Sequence, residues 1–202
     1  MTTLTFPTLG REGPTTFMWR KLSNTQTFES PLTRGVQTLA LPGARWACTA
    51  TWASLQSEDR AKLLAFLASL RGTAGRFYLS HLGLRAPRGT ALGTPLVAGA
   101  SQTGATLATD GWTPGATLLA GDFIGFNAGA ELRLVTADAT ANGAGAMSLS
   151  LDEPIRTSPT DNSAIVTASP TCIMRLASDE IAADYQAGRF SSFTLEAVET
   201  FA

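Results

Sequence analysis

Charged residues are scarce in this sequence. Only 15% of its 202 residues are Asp, Glu, Lys or Arg, against about 25% in an ordinary soluble domain. Lysine occurs only at Lys21 and Lys62, so nearly all of the positive charge is carried by arginine. The cores of protein interfaces are depleted of charge, and arginine suits interfacial ion pairs better than lysine does. The scarcity indicates either a neutral surface rich in Thr, Ala and Gly, or a surface covered by neighbouring subunits.

The charge balance and the hydropathy argue against two classes of partner. The formal net charge is −1 and there is no basic run, whereas specific nucleic-acid binding needs a basic footprint. No apolar run reaches the roughly 18 residues that span a membrane. The start, MTTLTFPTLGREGP, has no basic stretch followed by an apolar core, so it does not resemble a secretory signal. We therefore expect neither specific nucleic-acid binding nor membrane insertion.

Side chains suited to catalysis are also few. His81 is the only histidine, and its position where a predicted strand enters a loop favours a surface or capping role over acid–base catalysis. None of the G-x-S-x-G, P-loop, G-x-G-x-x-G and H-E-x-x-H patterns is present. Cys48 and Cys172 lack metal-ligand spacing; a disulfide between them is one interpretation, and two free core thiols are the favoured one. We predict that the chain is not an enzyme and needs no cofactor or metal.

A strand, a helix and a second strand are predicted in succession in the first half. Apolar side chains alternate with small or polar ones from Trp46 to Trp52, which is the period of a strand with one buried face. Ser57 is placed to cap a helix over residues 57–71, and Gly72 to end it. We expect the helix to pack on the strand through an apolar stripe. Its members are Ala61, Leu64, Leu67 and Leu70, with Leu63 and Phe66 beside them.

The chain after residue 80 has a different amino-acid composition. Residues 81–104 are rich in Gly, Pro, Ala and Thr, which is typical of a crossing loop. Short strand candidates separated by turn residues follow, at 105–109, 122–126, 131–137, 146–151 and 164–168, with a hairpin turn at 142–145. Five short strands in this space favour a small barrel or a sandwich.

The end of the chain returns to the first half. Residues 172–176 and 190–201 are predicted strands, with a short polar helix or turn at 179–187 between them. The last strand alternates and needs a sheet to pair with, and the first sheet is the only one large enough. We therefore predict a first domain made of residues 1–82 and 171–202, with residues 83–170 inserted as a second, all-β domain.

Several segments, in this order, resemble the distal tail proteins of long-tailed phages with non-contractile tails. They are TFESPLTRGVQTLALPGARW, AKLLAFLASLRG, GRFYLS, LLAGDFIGF, ELRLVTADATANGAGAMSLSLDEPIRTSP and FSSFTLEAVETF. The resemblance implies a mainly β fold: a β-sandwich ring domain with one helix packed on it, built from both chain ends. It also implies that the inserted domain is a small β-barrel of the oligonucleotide/oligosaccharide-binding (OB) type.

The same resemblance implies a structural role in the virion. The chain is expected to form a homohexameric ring that joins the tail tube to the hub of the tail tip or baseplate. Its expected partners are other copies of itself, the tail tube protein, the tape-measure protein and the tail hub protein. Its expected location is the virion tail tip, after assembly in the host cytoplasm.

A closed ring needs a heterologous interface, in which one patch meets a different patch on the next subunit. Open sheet edges in the first domain are candidates for it. Because charge is scarce, charged residues beside an extended edge are candidate interface residues, with a solvated surface role as the alternative. These are Glu29, Arg34 and Arg45.

Trp112, in the loop-like stretch ATDGWTPGAT, has two interpretations. It either covers one end of a small β core or stacks on a sugar ring as an outer-surface contact. The second interpretation gives the alternative function, a carbohydrate-binding module of the tail tip that contacts the host surface.

Overall fold

The computed structural model describes residues 2–10, 13–185 and 190–201 and is mainly β with one α-helix, which confirms the predicted fold class at that level. The first strands are β1 (Leu4–Thr5), β2 (Thr16–Leu22), β3 (Thr25–Glu29), β4 (Val36–Ala40) and β5 (Arg45–Leu55), followed by the helix α1 (Ser57–Leu70) and β6 (Phe77–Ser80). The middle strands are β7 (Gly93–Val97), β8 (Thr106–Trp112), β9 (Thr117–Leu118), β10 (Phe123–Phe126), β11 (Glu131–Leu134), β12 (Ala139–Thr140) and β13 (Met147–Ser150). The last strands are β14 (Thr171–Leu176), β15 (Ala183–Tyr185) and β16 (Ser191–Glu199).

Both ends of the chain build one large sheet. Its strands are hydrogen-bonded in the order β1, β6, β14, β16, β5 and β2, and β15 pairs with the start of β16. The C-terminal strand β16 therefore lies between β14 and β5, antiparallel to both. The sheet of the first half depends on the end of the chain for a central strand.

The alternation predicted for β5 is seen from Cys48 to Trp52, whereas Ala47, on the other face, is also buried. Trp46, Cys48, Ala50 and Trp52 are buried, whereas Thr49 and Thr51, which point to the other face, are half-buried. The buried face packs with α1 and with residues of β6, β14 and β16 in a first core. Phe6 and Phe66 contact the Trp52 end of this core, where Phe6 stacks on Trp52 with 6.4 Å between ring centroids.

The ends of α1 differ slightly from the prediction. The N-cap residue is Gln56, which makes no side-chain cap hydrogen bond, so the prediction that Ser57 caps the helix was wrong. The helix ends at Leu70, one residue early, because Arg71 adopts a left-handed backbone (φ 55°). The N–H of Arg71 donates to the carbonyl of Ala68, which satisfies one of the free carbonyls of the last turn.

The buried face of α1 is rotated relative to the predicted stripe. Asp59, Leu63, Leu67 and Leu70 are buried, whereas Leu64 is half-buried and Ala61 is exposed. The Asp59 carboxylate accepts the N–H of Gly10 at 3.0 and 3.1 Å. This contact ties the N-terminal segment to the first turn, and the helix face that includes Asp59 consequently faces inward.

The predicted stretch 83–170 forms several small sheets. Strands β7, β8 and β13 form one sheet, β9 pairs with β12, and β10 pairs with β11. Isolated bridges, such as Val135 to Leu151 and Gly125 to Val166, join them. With the bridge of Leu96 to Ala164, these pairings run in a closed circuit through β7, residues 164–166, β10, β11, β13 and β8. Three of the links are isolated bridges rather than continuous strand pairing, so the expected OB-type barrel stays a prediction.

Three local predictions in this stretch need correction. The crossing loop predicted at 81–104 contains β7, whose pairing with β8 is irregular between Gly93 and Leu96. Pro95 lies in that irregularity, where a strand tolerates a residue without an N–H. The strand predicted at 164–168 is present only as isolated bridges at Ala164 and Val166. The turn at 142–145 is present, but it connects β12 to β13, which pair with different strands.

The polar helix or turn predicted at 179–187 falls partly on residues 186–189, which lie outside the described residues. The part that is described contains the short strand β15, which adds to the edge of β16. No helix begins in the described portion of this stretch.

The hairpin β10–β11 lies between two hydrophobic cores. Phe123 and Leu132 belong to the first core, where the Phe123 ring meets that of Trp46 edge-on with 5.5 Å between centroids. Ile124 and Phe126 point to the opposite face and belong to a second core. The hairpin is therefore buried on both faces, and the two cores share it as a common layer.

The rotation of α1 gives a direct test of its packing. Leu63→Ala should lower the free energy of unfolding by about 2–5 kcal/mol, because Leu63 is 0% exposed and its truncation leaves a cavity. Leu64→Ala should have a smaller effect, since that side chain is half-buried. Urea denaturation of both variants measures the difference, and a larger loss at Leu64 would show that the helix face is assigned wrongly.

Candidate assembly surface

A two-stranded arm extends from the edge of the large sheet. Strands β2 and β5 pair from Thr16–Thr51 to Leu22–Arg45, and β3 and β4 continue the same ribbon from Thr25–Ala40 to Glu29–Val36. We call residues 25–40 the arm. Its five-residue strands are about 17 Å long at the usual rise of an extended chain.

The arm has a defined joint with the sheet. The side chain of Asn24 donates to the carbonyl of Pro42 at 2.9 Å, and the N–H of Leu41 donates to the carbonyl of Asn24 at 2.8 Å. Gly43, which follows Pro42, has a φ of 110°, a conformation that glycine adopts without strain. These features let the ribbon change register where the arm leaves the sheet.

All ten strand residues of the arm are exposed. Large apolar side chains are among them: Phe28 is 66% exposed, and Val36 and Leu39 are similarly open. Leu32, in the turn at the tip, is 93% exposed. A ribbon with solvent on both faces and several large apolar side chains has no core of its own, and two isolated strands are only marginally stable in water.

The tip of the arm carries two of the predicted interface residues. Arg34, which has a left-handed backbone (φ 55°), donates from Nη1 to Oε1 of Glu29 at 2.9 Å. Both side chains are largely exposed, so the pair contributes little stability by itself. Its effect is to leave the tip without net charge.

Arg45, the third predicted interface residue, lies at the base of the arm as the first residue of β5. Its guanidinium carbon is 5.7 Å from the centre of the Phe201 ring. The three predicted residues thus lie at the two ends of one structural feature, Glu29 and Arg34 at the tip and Arg45 at the base. The structure contains a single chain, and their role between subunits stays a prediction.

The base of the arm is held by a buried carboxylate that the sequence analysis did not single out. Glu199, which is almost completely buried, accepts the N–H of Trp46 at Oε2 (2.9 Å) and a guanidinium N–H of Arg156 at Oε1 (2.8 Å). The guanidinium carbon of Arg156 also lies 3.9 Å from the centre of the Phe201 ring. The signal was present: Glu199 continues the buried alternation Phe193, Leu195, Ala197 in the last strand.

A second ion pair fixes the other strand of the base. Nζ of Lys21, in β2, lies 2.9 Å from a carboxylate oxygen of Asp152 and 2.8 Å from one of Glu153. Burial acts to lower the pKa of Lys21, but the bonds to Glu153 and Asp152 outweigh it and raise the pKa. Lys21 and Arg156 together connect the base of the arm to residues 152–156, which include Ile155 of the second core.

Trp112 does not form an outer-surface contact. The side chain is 3% exposed and belongs to the second core, and its indole N–H donates to the hydroxyl of Thr109 at 2.7 Å. A buried ring whose polar atom is already bonded cannot stack on a sugar. The prediction of Trp112 as an outer contact was therefore wrong, and its interpretation as a core residue is confirmed.

His81 caps a turn, as expected from its position. Its Nδ1 accepts the backbone N–H groups of Gly83 (3.2 Å) and Leu84 (2.8 Å). The ring lies among aromatic side chains, with centroids 5.0 Å from Phe17 and 5.4 Å from Phe123. Desolvation in this setting lowers the pKa of His81, because burial disfavours the charged imidazolium.

The two cysteines are free and buried, which confirms the favoured interpretation. Burial raises the pKa of Cys48 to about 12 and raises that of Cys172 well above its usual range. A thiol with so high a pKa carries almost no thiolate at neutral pH, and the thiolate is the reactive form. Both cysteines are therefore packing residues.

No protein-family model matches the chain, and no curated protein matches it. In residues 2–10, 13–185 and 190–201, no group of three or more His, Cys, Asp or Glu side chains is placed to hold a metal ion. No helix in the described part of the chain is long and apolar enough to cross a membrane. The arm is the candidate surface because all of its strand residues are exposed.

The buried ion pair at the base should be important for stability. Arg156→Gln leaves the Glu199 carboxylate buried with one donor, the N–H of Trp46, and should cost about 3–5 kcal/mol, as removing one partner of a buried pair does. Thermal and urea unfolding measure the cost. Arg85→Gln, at an exposed arginine, is the matched control and should stay within about 0.5 kcal/mol of the parent; equal effects of the two changes would contradict the assignment.

The lowered pKa of His81 predicts a pH dependence. Because the folded state binds the proton less readily than the unfolded chain, stability should fall as the pH drops below about 6.5, the unfolded value, and continue to fall through the folded pKa. His81→Asn can accept the same two N–H groups but does not titrate. The free energy of unfolding of the parent should therefore decline more steeply between about pH 6.5 and 5 than that of the variant, and parallel curves would refute the account.

Proposed function

We propose that the chain is a structural subunit of a phage tail tip, a distal tail protein that assembles with copies of itself into a hexameric ring. The ring would join the tail tube to the hub of the tip or baseplate, with the tube, tape-measure and hub proteins as partners. The role proposed for the chain is assembly rather than catalysis. Its location would be the virion, following assembly in the host cytoplasm.

The arm is the observation that carries this proposal. Exposed Phe28, Leu32, Val36 and Leu39 stand on a narrow ribbon whose strand residues are all open to solvent. Phe28 and Leu39 share one face of the ribbon and Val36 lies on the other. Exposed large apolar side chains grouped on one element mark surfaces that bind other proteins. A ribbon that gains a packing partner only through association is the kind of feature expected of an assembling subunit.

The position of the arm is consistent with ring formation. The arm extends from one edge of the large sheet, so it reaches away from its own body and can contact a different part of the next copy. Such a contact is heterologous, and heterologous contacts close into rings when the rotation between copies allows it. The low charge of the chain fits the same picture, because interface cores are depleted of charge.

The carbohydrate-binding alternative is not proposed. It depended on Trp112 as an exposed stacking platform, and that ring is buried in the second core. Because no exposed aromatic ring is present at that position, the alternative lacks the residue that was expected to stack on a sugar.

The test is the state of association with and without the arm. The purified chain should form rings in negative-stain electron microscopy, and light scattering should give a mass several times that of one chain. Replacing residues 25–40 by a short Gly/Ser loop should give a folded monomer, because the strand residues removed are all exposed.

Two results would count against the account. A parent chain that is monomeric at every concentration would refute the ring. An armless variant that still forms rings would show that the interface lies elsewhere. Circular dichroism of the armless variant, which should keep the signature of the large sheet, separates loss of association from loss of folding.

A further inference from the structure

The arm has two free edges that lack the usual protection. Among the described strands, β3 and β4 pair only with each other. Proteins usually block exposed edges with lysine, proline, bulges or covering segments. The sequences of the two arm strands, TQTFE and VQTLA, contain neither lysine nor proline. The one charged strand residue of the arm is Glu29, at the end of β3, where it pairs with Arg34.

The hydrogen bonds at the ends of the arm show which backbone groups face outward. Ser30 N–H donates to the Gly35 carbonyl at 2.9 Å, and Leu41 N–H donates to the Asn24 carbonyl at 2.8 Å. Antiparallel pairs alternate between hydrogen-bonded and non-hydrogen-bonded. The pairs Phe28–Gln37 and Gln26–Leu39 are therefore bonded inside the arm.

The remaining pairs direct their N–H and C=O groups away from the arm on both edges. These pairs are Thr25–Ala40, Thr27–Thr38 and Glu29–Val36. Each edge thus presents three outward N–H groups and three outward carbonyls, which nothing in the described chain pairs.

The two strands also share a sequence pattern. Gln26-Thr27-Phe28 in β3 and Gln37-Thr38-Leu39 in β4 both read Gln, Thr, large apolar. In the arm they pair antiparallel, so that Thr lies opposite Thr and each Gln lies opposite an apolar side chain. The same three cross-strand pairs form again if β4 of one copy meets β3 of another.

We propose that the arm pairs with the arm of a second copy of the chain, edge to edge, with β4 of one copy antiparallel to β3 of the next. This proposal deepens the proposed function, on which it rests, by naming the surface through which the copies join. Thr38 of one copy would exchange backbone hydrogen bonds with Thr27 of the next. Pairing of β4 with β3 is head-to-tail, so each copy keeps one free edge until the ring closes.

The side chains suit a repeated sheet of this kind. One face carries a continuous row of Thr27 and Thr38, and cross-strand threonine pairs are favourable. The opposite face alternates Phe28 with Gln37, and Gln26 with Leu39. Glu29 would lie opposite Val36 of the neighbour while its own Arg34 neutralises it, so no like charges meet across the junction.

Proline substitution at outward positions tests the pairing without breaking the arm. Thr27→Pro and Thr38→Pro each remove an N–H that no bond inside the arm uses, whereas Thr27→Val keeps the N–H and a branched side chain. Light scattering over a concentration series should show that each proline variant needs about tenfold more protein to assemble, while Thr27→Val matches the parent.

Disulfide trapping gives a second test that does not depend on how proline is tolerated. Phe28→Cys protein mixed with Gln37→Cys protein should form an intermolecular disulfide on mild oxidation, because these positions are opposite each other across the proposed junction. Each variant alone should give little dimer, since position 28 faces position 37 and not itself. Cys48 and Cys172 are buried and do not compete.

The outcomes separate this proposal from the ring itself. If the parent forms rings and the proline variants assemble equally well, with no disulfide in the mixture, arm pairing is wrong and the ring stands. If the parent is monomeric and the mixture gives no disulfide, both proposals fail. Arm pairing is supported if the parent forms rings, the proline variants assemble less readily, and a disulfide forms only in the mixture.

Discussion

The contact on which the arrangement of the chain depends is the buried pair of Glu199 and Arg156. Glu199 ends the central strand of the large sheet, and its two carboxylate oxygens bind the start of β5 through Trp46 N–H and the 152–156 segment through Arg156. One side chain therefore connects the end of the chain, the base of the arm and the second core. A buried pair of this kind is not an efficient source of stability, but it penalises any arrangement in which the charge is left unpaired.

Several charged residues of this protein lie at similar junctions. Lys21 pairs with Asp152 and Glu153, Arg133 lies buried beside Glu131, and Arg88 bonds to the buried Asp122. The shared hairpin β10–β11 adds an apolar junction between the two cores. These charged residues position one part of the chain against another, whereas the two charges of the arm, Glu29 and Arg34, pair with each other.

The sequence predicted the secondary-structure elements that depend only on neighbouring residues. The sequence predicted the strand from Trp46 to Trp52 and the extent of α1, but not which face of α1 is buried. Six neighbouring apolar residues allow more than one buried face, and the hydrogen bond from the distant Gly10 to Asp59 selects one. Strand β7 was missed because Pro95 lowers strand propensity, and the sequence does not reveal the irregular pairing between Gly93 and Leu96 that permits a proline there. The arm was missed as a separate feature because strand propensity does not reveal whether another part of the protein packs against a strand. Trp112 had two interpretations for the converse reason: its loop-like neighbours did not reveal that the ring is buried.

The central claim is that the arm is the surface through which copies of the chain associate. Hydrogen exchange of the peptide that covers residues 25–40, followed by mass spectrometry from dilute to concentrated protein, tests it most directly. In the monomer an isolated ribbon should exchange almost freely, since two strands alone are marginally stable. The account predicts strong protection of this peptide as the assembled fraction rises. An assembled protein whose arm exchanges as fast as that of the monomer would contradict it.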